Sequence, residues 1–357
     1  MASPLHIHLL LLLFLLLTLL TITTTTTASP NHPRSSRSTR RTMNVIDHCW
    51  RRTTNWSSNR QRLAMCSVGF AGKMSNNIGR GLTRYVVTDP TDDPLRLRYG
   101  TLRHGATLTK GKVWITFQRD MVITLKKPLM VKSMTTIDGR GANVLIANGA
   151  SFVLYQVSNV IIHGLHFHDC KSQGAGAVVV PGGHVMQLSG NDGDAIRLVQ
   201  ASKVWIDHNT FSNSEDGLLD VTRGSTEITV MLLGHDDAFL LDKKMKRMPR
   251  ARHGYVHVVN NLYDGWGLYA IGGSMSPSIR SEGNLYISKG RSSMSWNWVS
   301  LKDRFENEAY FKQSGSRART NPGYNLLQRF RVANANQVRA LTRNAGALRC
   351  SAKRVRC

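Results

Sequence analysis

Two short segments hold residues whose types and spacing could do chemistry. Asp192-Gly193-Asp194 and Asp216-Gly217-Leu218-Leu219-Asp220 gather carboxylates with no basic side chain among them, and Arg247-Met248-Pro249-Arg250-Ala251-Arg252 gathers guanidinium groups with no acid. Three or four carboxylates drawn together repel one another until a cation neutralises them, and Ca²⁺ accepts six to eight oxygens in loose geometry. Guanidinium forks suit the opposite task, the fixing of carboxylates. Together the segments point to chemistry on an anionic substrate.

A repeat must bring them together. From Tyr85 onward, short β-rich runs such as Val113 to Phe117 and Met121 to Leu125 alternate with Gly, Asn and Asp, and no long helical period precedes about residue 325. Ser158 to Phe167 aligns with Ser202 to Phe211 at a shift of 44, Asn261-Leu262-Tyr263 aligns with Asn284-Leu285-Tyr286 at 23, and Ser225 to Val230 repeats the head of the unit 23 after Ser202. Taken as a period near 22, with 44 as two of them, these shifts predict an all-β solenoid, a right-handed parallel β-helix with asparagines stacked at one turn position. A sandwich or propeller is the alternative. On that repeat Asp192 and Asp194 face the same way along an extended strand, Asp216 follows Asp194 by about one coil, and Asp220 returns nearby across Gly217. The four are read as Ca²⁺ ligands, the competing reading being that each Asp caps a turn.

The histidines are read differently. His163 lies on the opposite strand face from His166 and His168, so a common metal is not expected, and His104, His208, His253 and His257 are taken as hydrogen-bonded structural groups.

Charge narrows the partner. Forty-seven Lys and Arg against 22 Asp and Glu give a formal charge of +25, all of it after residue 30, and such a surface collects polyanions. Leu9 to Leu20, the Thr-rich stretch and Ala28-Ser29-Pro30 read as a secretory signal over residues 1–28, the apolar run being too short to span a bilayer. An uncleaved membrane anchor is the alternative. A basic extension (29–84), the β-helix (85–325) and a C-terminal extension (326–357) are expected to follow, both extensions irregular. An exported protein meets little nucleic acid, but charge alone does not choose between acidic lipid and acidic polysaccharide; a secreted, extracellular monomer with no membrane span is expected. Five cysteines in an oxidising compartment read as local disulfides Cys49–Cys66 and Cys350–Cys357 with Cys170 unpaired and buried, and Asn55-Trp56-Ser57 as a glycosylation site at Asn55.

Several motifs in order carry a resemblance: Ile46-Asp47-His48-Cys49-Trp50-Arg51, Gly100-Thr101-Leu102-Arg103-His104, Thr136-Ile137-Asp138-Gly139-Arg140-Gly141, Val204-Trp205-Ile206-Asp207-His208, Asp216 to Asp220, Arg247 to Gly254 and Ala270 to Ser274. From about residue 44 to the C-terminus the chain resembles the plant branch of the pectate lyases. The resemblance implies a right-handed parallel β-helix that cleaves de-esterified homogalacturonan by β-elimination with Ca²⁺. It implies Asp192, Asp194, Asp216 and Asp220 as calcium ligands, Arg247 as the residue that takes the C5 proton of a uronate, and Arg252 as the clamp on its carboxylate. A guanidinium is a base only where its neutral form becomes accessible, and crowding by Lys246, Arg250, Arg252 and Ca²⁺ works in that direction.

The chain also departs from that family. Segments of about half a coil are missing between Val230 and Met231 and between Lys246 and Arg247, and the loop after Ser288 is shortened. Missing strands predict a broken stack in which the arginine coil no longer faces the acids. Two functions therefore stand side by side: a Ca²⁺-dependent pectate lyase, and a catalytically impaired basic protein that holds pectin electrostatically. Hydrolysis by an Asp192–Asp216 pair is a third reading, one that leaves the arginine motif unused.

Overall fold

The computed structural model describes residues 43–51, 54–231, 247–288, 293–296, 298–314 and 323–348, together with 350, 351, 354 and 357. Residues 1–42, which include the expected signal peptide, and the segments 232–246 and 289–292 lie outside them.

Apolar residues alternating along short strands, separated by turn residues that accept left-handed backbone, wind the chain into coils. Gln156 and Gln200, Asn159, Lys203 and Glu227, and Asp169 and Asn213 all have positive φ at equivalent turns of successive coils. Nine parallel strands form one face, in the order Leu82–Val87, Lys112–Phe117, Thr135–Asp138, Ser158–His163, Ser202–Asp207, Thr226–Met231, Tyr255–Val259, Ser278–Glu282 and Trp298–Leu301. A second face stacks six parallel strands: Leu129–Met130, Phe152–Tyr155, Ile196–Val199, Leu219–Thr222, Arg250–Arg252 and Gly272–Ser274. Shorter strands of the third face form a four-stranded sheet from Met121–Ile123 to Thr210–Ser212 and a three-stranded one from Leu262–Asp264 to Arg304–Glu306. The protein is a parallel β-helix.

Its interior is one apolar column. Val204, Ile206, Ile228, Val230, Val256 and Val258 are fully buried, each such side chain contributing about 1.5–3 kcal/mol. Phe167 stacks on Phe211 at 5.0 Å and Tyr263 on Tyr286 at 4.8 Å, one ring per coil. The expected asparagines are there as well: buried Asn261 and Asn284 bond side chain to side chain, Nδ2 to Oδ1 at 3.4 Å, and Asn209 donates to the Ile162 carbonyl one coil below.

Two register expectations are corrected. The 44-residue shift is one coil, not two, because Asp207 pairs directly with His163 and Val204 with Val160. The excess length is an antiparallel hairpin, Gly176–Val179 with Val185–Leu188, set into that coil. The next coil adds 24 residues, not 23, since Val204 pairs with Ile228, the extra residue being absorbed in the turn at Gly224, whose φ is +78°. Where Leu262 faces Leu285 the offset is the expected 23.

The predicted break is confined to the third face, where among the described residues the sheet ending at Thr210–Ser212 and the sheet beginning at Leu262–Asp264 are separate, while the other two faces stay paired. Thr226–Met231 pairs with Ser202–Asp207 on one side and Tyr255–Val259 on the other, and Leu219–Thr222 pairs with Arg250–Arg252. The strand that carries Asp220 pairs directly with the arginine strand, at the ordinary spacing of parallel strands.

The helices Val45–Trp50 and Arg62–Cys66 cover the outside of the nine-stranded sheet. Ile46, Trp50, Trp56 and Leu63 bury themselves against its outward Trp114, Ile161 and Trp205. Cys49–Cys66 and Cys350–Cys357 are disulfides, and Cys170 is a buried free thiol. Asn55 is exposed. Among the described residues no helix is long and apolar enough to cross a membrane.

Candidate active site

Outward-facing positions of the six-stranded sheet carry the chemistry. Arg197, Asp220 and Arg250 are register partners on three successive strands, with Gly272 opposite Arg250 on the next, so the three side chains leave the sheet in a row about 4.8 Å apart. Asp192 and Asp194 precede this sheet in an irregular turn rather than a strand, with Gly193 at φ +95°. Their convergence comes from that turn, not from strand alternation. Carboxylate oxygens of Asp192, Asp194 and Asp216 lie within 4.8 Å of one another. Asp220 stands outside that trio on its own strand, 1% exposed, close enough for its charge to act on Asp194.

Gly217 makes the approach possible. Its N–H donates to Asp194 Oδ1 at 2.8 Å, and a Cβ there would sit 2.6 Å from both that oxygen and Arg247 Cδ. Burial first, then the neighbouring charges of Asp220 and Asp216, push the Asp194 carboxyl up to about 7. Burial likewise raises Asp220, against the opposing pull of Arg252 and Arg247. Asp194 Oδ2 and Asp220 Oδ1 are buried and accept no hydrogen bond. Buried anionic oxygens without donors are what a coordinated cation would satisfy, so the donor set fits a hard divalent ion.

The guanidinium groups are already among these acids. Arg252 Nη1 donates to Asp220 Oδ2 at 2.7 Å. Arg247 Nη1 donates to Asp216 Oδ2 and lies 3.6 Å from Asp194 Oδ1. The direct pairing of their strands puts acids and arginines in contact. It also reverses the electrostatic expectation for Arg247. Burial works against its charge, but Asp216 and Asp194 hold it above the ordinary guanidinium value. Lys246 lies outside the described residues, and Arg250 turns to Ser274, Nη2 to Oγ at 3.3 Å.

Sequence reasoning missed two features. Arg197 belongs to the row, and the 23-residue offset from Asp220 could have found it. On the opposite face His208, set aside as a structural histidine, joins a buried network with Asp47 of the N-terminal helix: Nε2 to Asp47 Oδ1 at 3.2 Å, Nδ1 to Asp207 Oδ2 at 2.8 Å. His163 Nδ1 lies 3.0 Å from the same Asp207 oxygen. His163 ends one strand while His166 and His168 lie on the next, in a different sheet, so the turn between them and not strand alternation separates them.

Known proteins resemble this chain in sequence and fold. A family model described as pectate lyase matches residues 235–322. Probable pectate lyase 16 of Arabidopsis thaliana is 44% identical, covering 87% of this chain and 87% of its own. A pectate lyase of Zinnia elegans is 43% identical over 87% of this chain and 86% of its own. Among solved structures, the major cedar-pollen allergen jun a 1 superposes with a TM-score of 0.72 at 43% identity, covering 85% of this chain and 99% of that one. The 347 aligned positions of the first relative take in only 87% of 357 residues here, so that relative carries internal segments this chain lacks. With 44% identity across most of both chains, and the same motifs borne on a parallel β-helix, the chain belongs to the plant pectate lyase family.

Proposed function

We propose that this chain is a calcium-dependent pectate lyase that cleaves de-esterified homogalacturonan by β-elimination, releasing unsaturated oligogalacturonides in the cell wall after export. The observation that carries the reading is the meeting of Asp194, Asp216 and Asp220 with Arg247 and Arg252, on two paired strands and the turns that lead into the sheet. In elimination the C5–H bond and the C4–O4 bond break, a C4–C5 double bond forms, and O4 departs with the adjoining sugar and takes up a proton. Asp192, Asp194, Asp216 and Asp220 would hold Ca²⁺, which when bound supplies positive charge to the uronate carboxylate and so acidifies C5–H.

Arg252 is suited to grip that carboxylate through a bidentate fork, the side chain being 23% exposed and anchored from below by Asp220. Arg247 would receive the C5 proton at a guanidinium nitrogen, which requires it to leave Asp216 and shed a proton first. The basic surface collects the polyanion along the face.

A second reading, a pectin-binding protein without turnover, is favoured by one observation: Arg247 is engaged by the acids. Incubation with polygalacturonate, with calcium or with chelator, separates the two. The lyase reading expects ultraviolet absorbance from the unsaturated uronate only with calcium, and its loss in Arg252→Ala. Retention of the polymer with no such absorbance at any calcium level would leave the second reading standing.

A further inference from the structure

We infer that Arg247 is the resident counter-cation of the acid cluster, and that a divalent cation enters only by displacing its guanidinium, so that metal binding and release of Arg247 toward the substrate are one event. The inference rests on reading the acids as a cation site. It goes beyond that reading by making the chain carry its own competitor.

The geometry leaves little choice. Asp220 and Arg250 are directly opposite on neighbouring strands, so Arg247 and Arg252, flanking Arg250, begin one strand spacing from the acids. Arg247 Nη1 touches Asp216 and approaches Asp194, two of the three residues whose oxygens converge. A cation bound to both carboxylates at 2.3–2.6 Å would stand beside that nitrogen, like charge against like, with the same oxygens claimed twice. Displacement needs only a side-chain rotation. The Arg247 carbonyl accepts from Leu219 N at 2.9 Å and Met248 N donates to the Ala270 carbonyl at 2.8 Å, which holds the backbone on both sides. The docked side chain is also incompletely satisfied, because its Nε is buried with no acceptor. A buried donor on the arginine without an acceptor, beside buried oxygens of Asp194 and Asp220 without donors, is an arrangement that an incoming cation, with an anionic sugar to take up the freed guanidinium, can improve on both sides.

Titration calorimetry of Ca²⁺ into the intact protein, without substrate, tests this. Arg247→Gln is expected to bind calcium at least tenfold more tightly than the unaltered chain, and Arg247→Lys, which keeps the charge, to remain near it. Guanidinium chloride far below denaturing levels should weaken binding to Arg247→Gln back toward the original value. Equal affinity in the unaltered chain and Arg247→Gln overturns the inference and leaves the cation site intact; no binding in either overturns both. Absence of lyase product with the affinity difference present would sink only the catalytic reading. Should Arg247→Gln fail to fold, nitrogen NMR of the arginine side chains in the unaltered protein decides. Calcium is expected to free the Arg247 Nη groups from hindered rotation, and an unchanged signal overturns the inference.

Discussion

Two clusters of paired opposite charges sit on different faces of the same coil stack. Beneath the N-terminal helix, Asp47, His163, Asp207 and His208 are at most 1% exposed and joined to one another. On the six-stranded sheet, Asp192 is exposed and Asp216 and Arg247 are partly so. Both are built from acids and bases placed one coil apart, and the difference is the cover. A helix closes the first, so its ion pairs have only one another and act as a fastening. The second opens to solvent, so a metal ion or an anionic polymer can compete for its charges. Residue type alone does not make a site; access does.

That contrast can be broken by substitution. Removing one partner of a buried pair strands the other, so Asp207→Ala should cost about 3–5 kcal/mol in chemical unfolding. Asp216→Asn, on the open face, should cost under about 1 kcal/mol in the same measurement. Equal losses would show that cover is not what separates the two clusters. Activity should respond in reverse order. Arg252→Gln is expected to lower kcat/KM for polygalacturonate by about a hundredfold or more with unfolding little changed, whereas Asp207→Asn acts through stability.

The pH responses should also diverge. In the closed cluster burial opposes the charge of His208, but Asp207 and Asp47 prevail and raise it to about 10. A raised histidine stabilises fully below its unfolded value near 6.5, and that contribution disappears as pH climbs through about 10. Unfolding scans should show an alkaline loss over that window, absent in His208→Gln. In the open cluster the raised Asp194, about 7, works at lower pH. Its neutral form is favoured in the folded state, so the contribution is complete below about 3.8 and lost as pH rises through about 7. Asp194→Asn should remove that decline, an effect of about two degrees in melting temperature. A decline of the same size in Asp194→Asn would assign it elsewhere.

Much of this was legible beforehand. Alternating β runs, Asn261 and Asn284 at a fixed offset, and the ordered motifs identified a parallel β-helix of the pectate lyase family, because side-chain period and turn chemistry are local properties that each segment carries with it. The identities of the acids and arginines were legible for the same reason. Their mutual distances were not. The register of parallel strands depends on every turn and insertion between them, so a hairpin from Gly176 to Leu188 makes 44 residues a single coil. The arginine strand likewise pairs directly with the strand that carries Asp220. Sequence determined which groups the fold would present and on what kind of scaffold. Only the closed stack decided that acids and guanidinium groups meet one strand apart, because hydrogen-bonded pairing fixes their separation at the spacing of adjacent strands, whatever the length of chain between them.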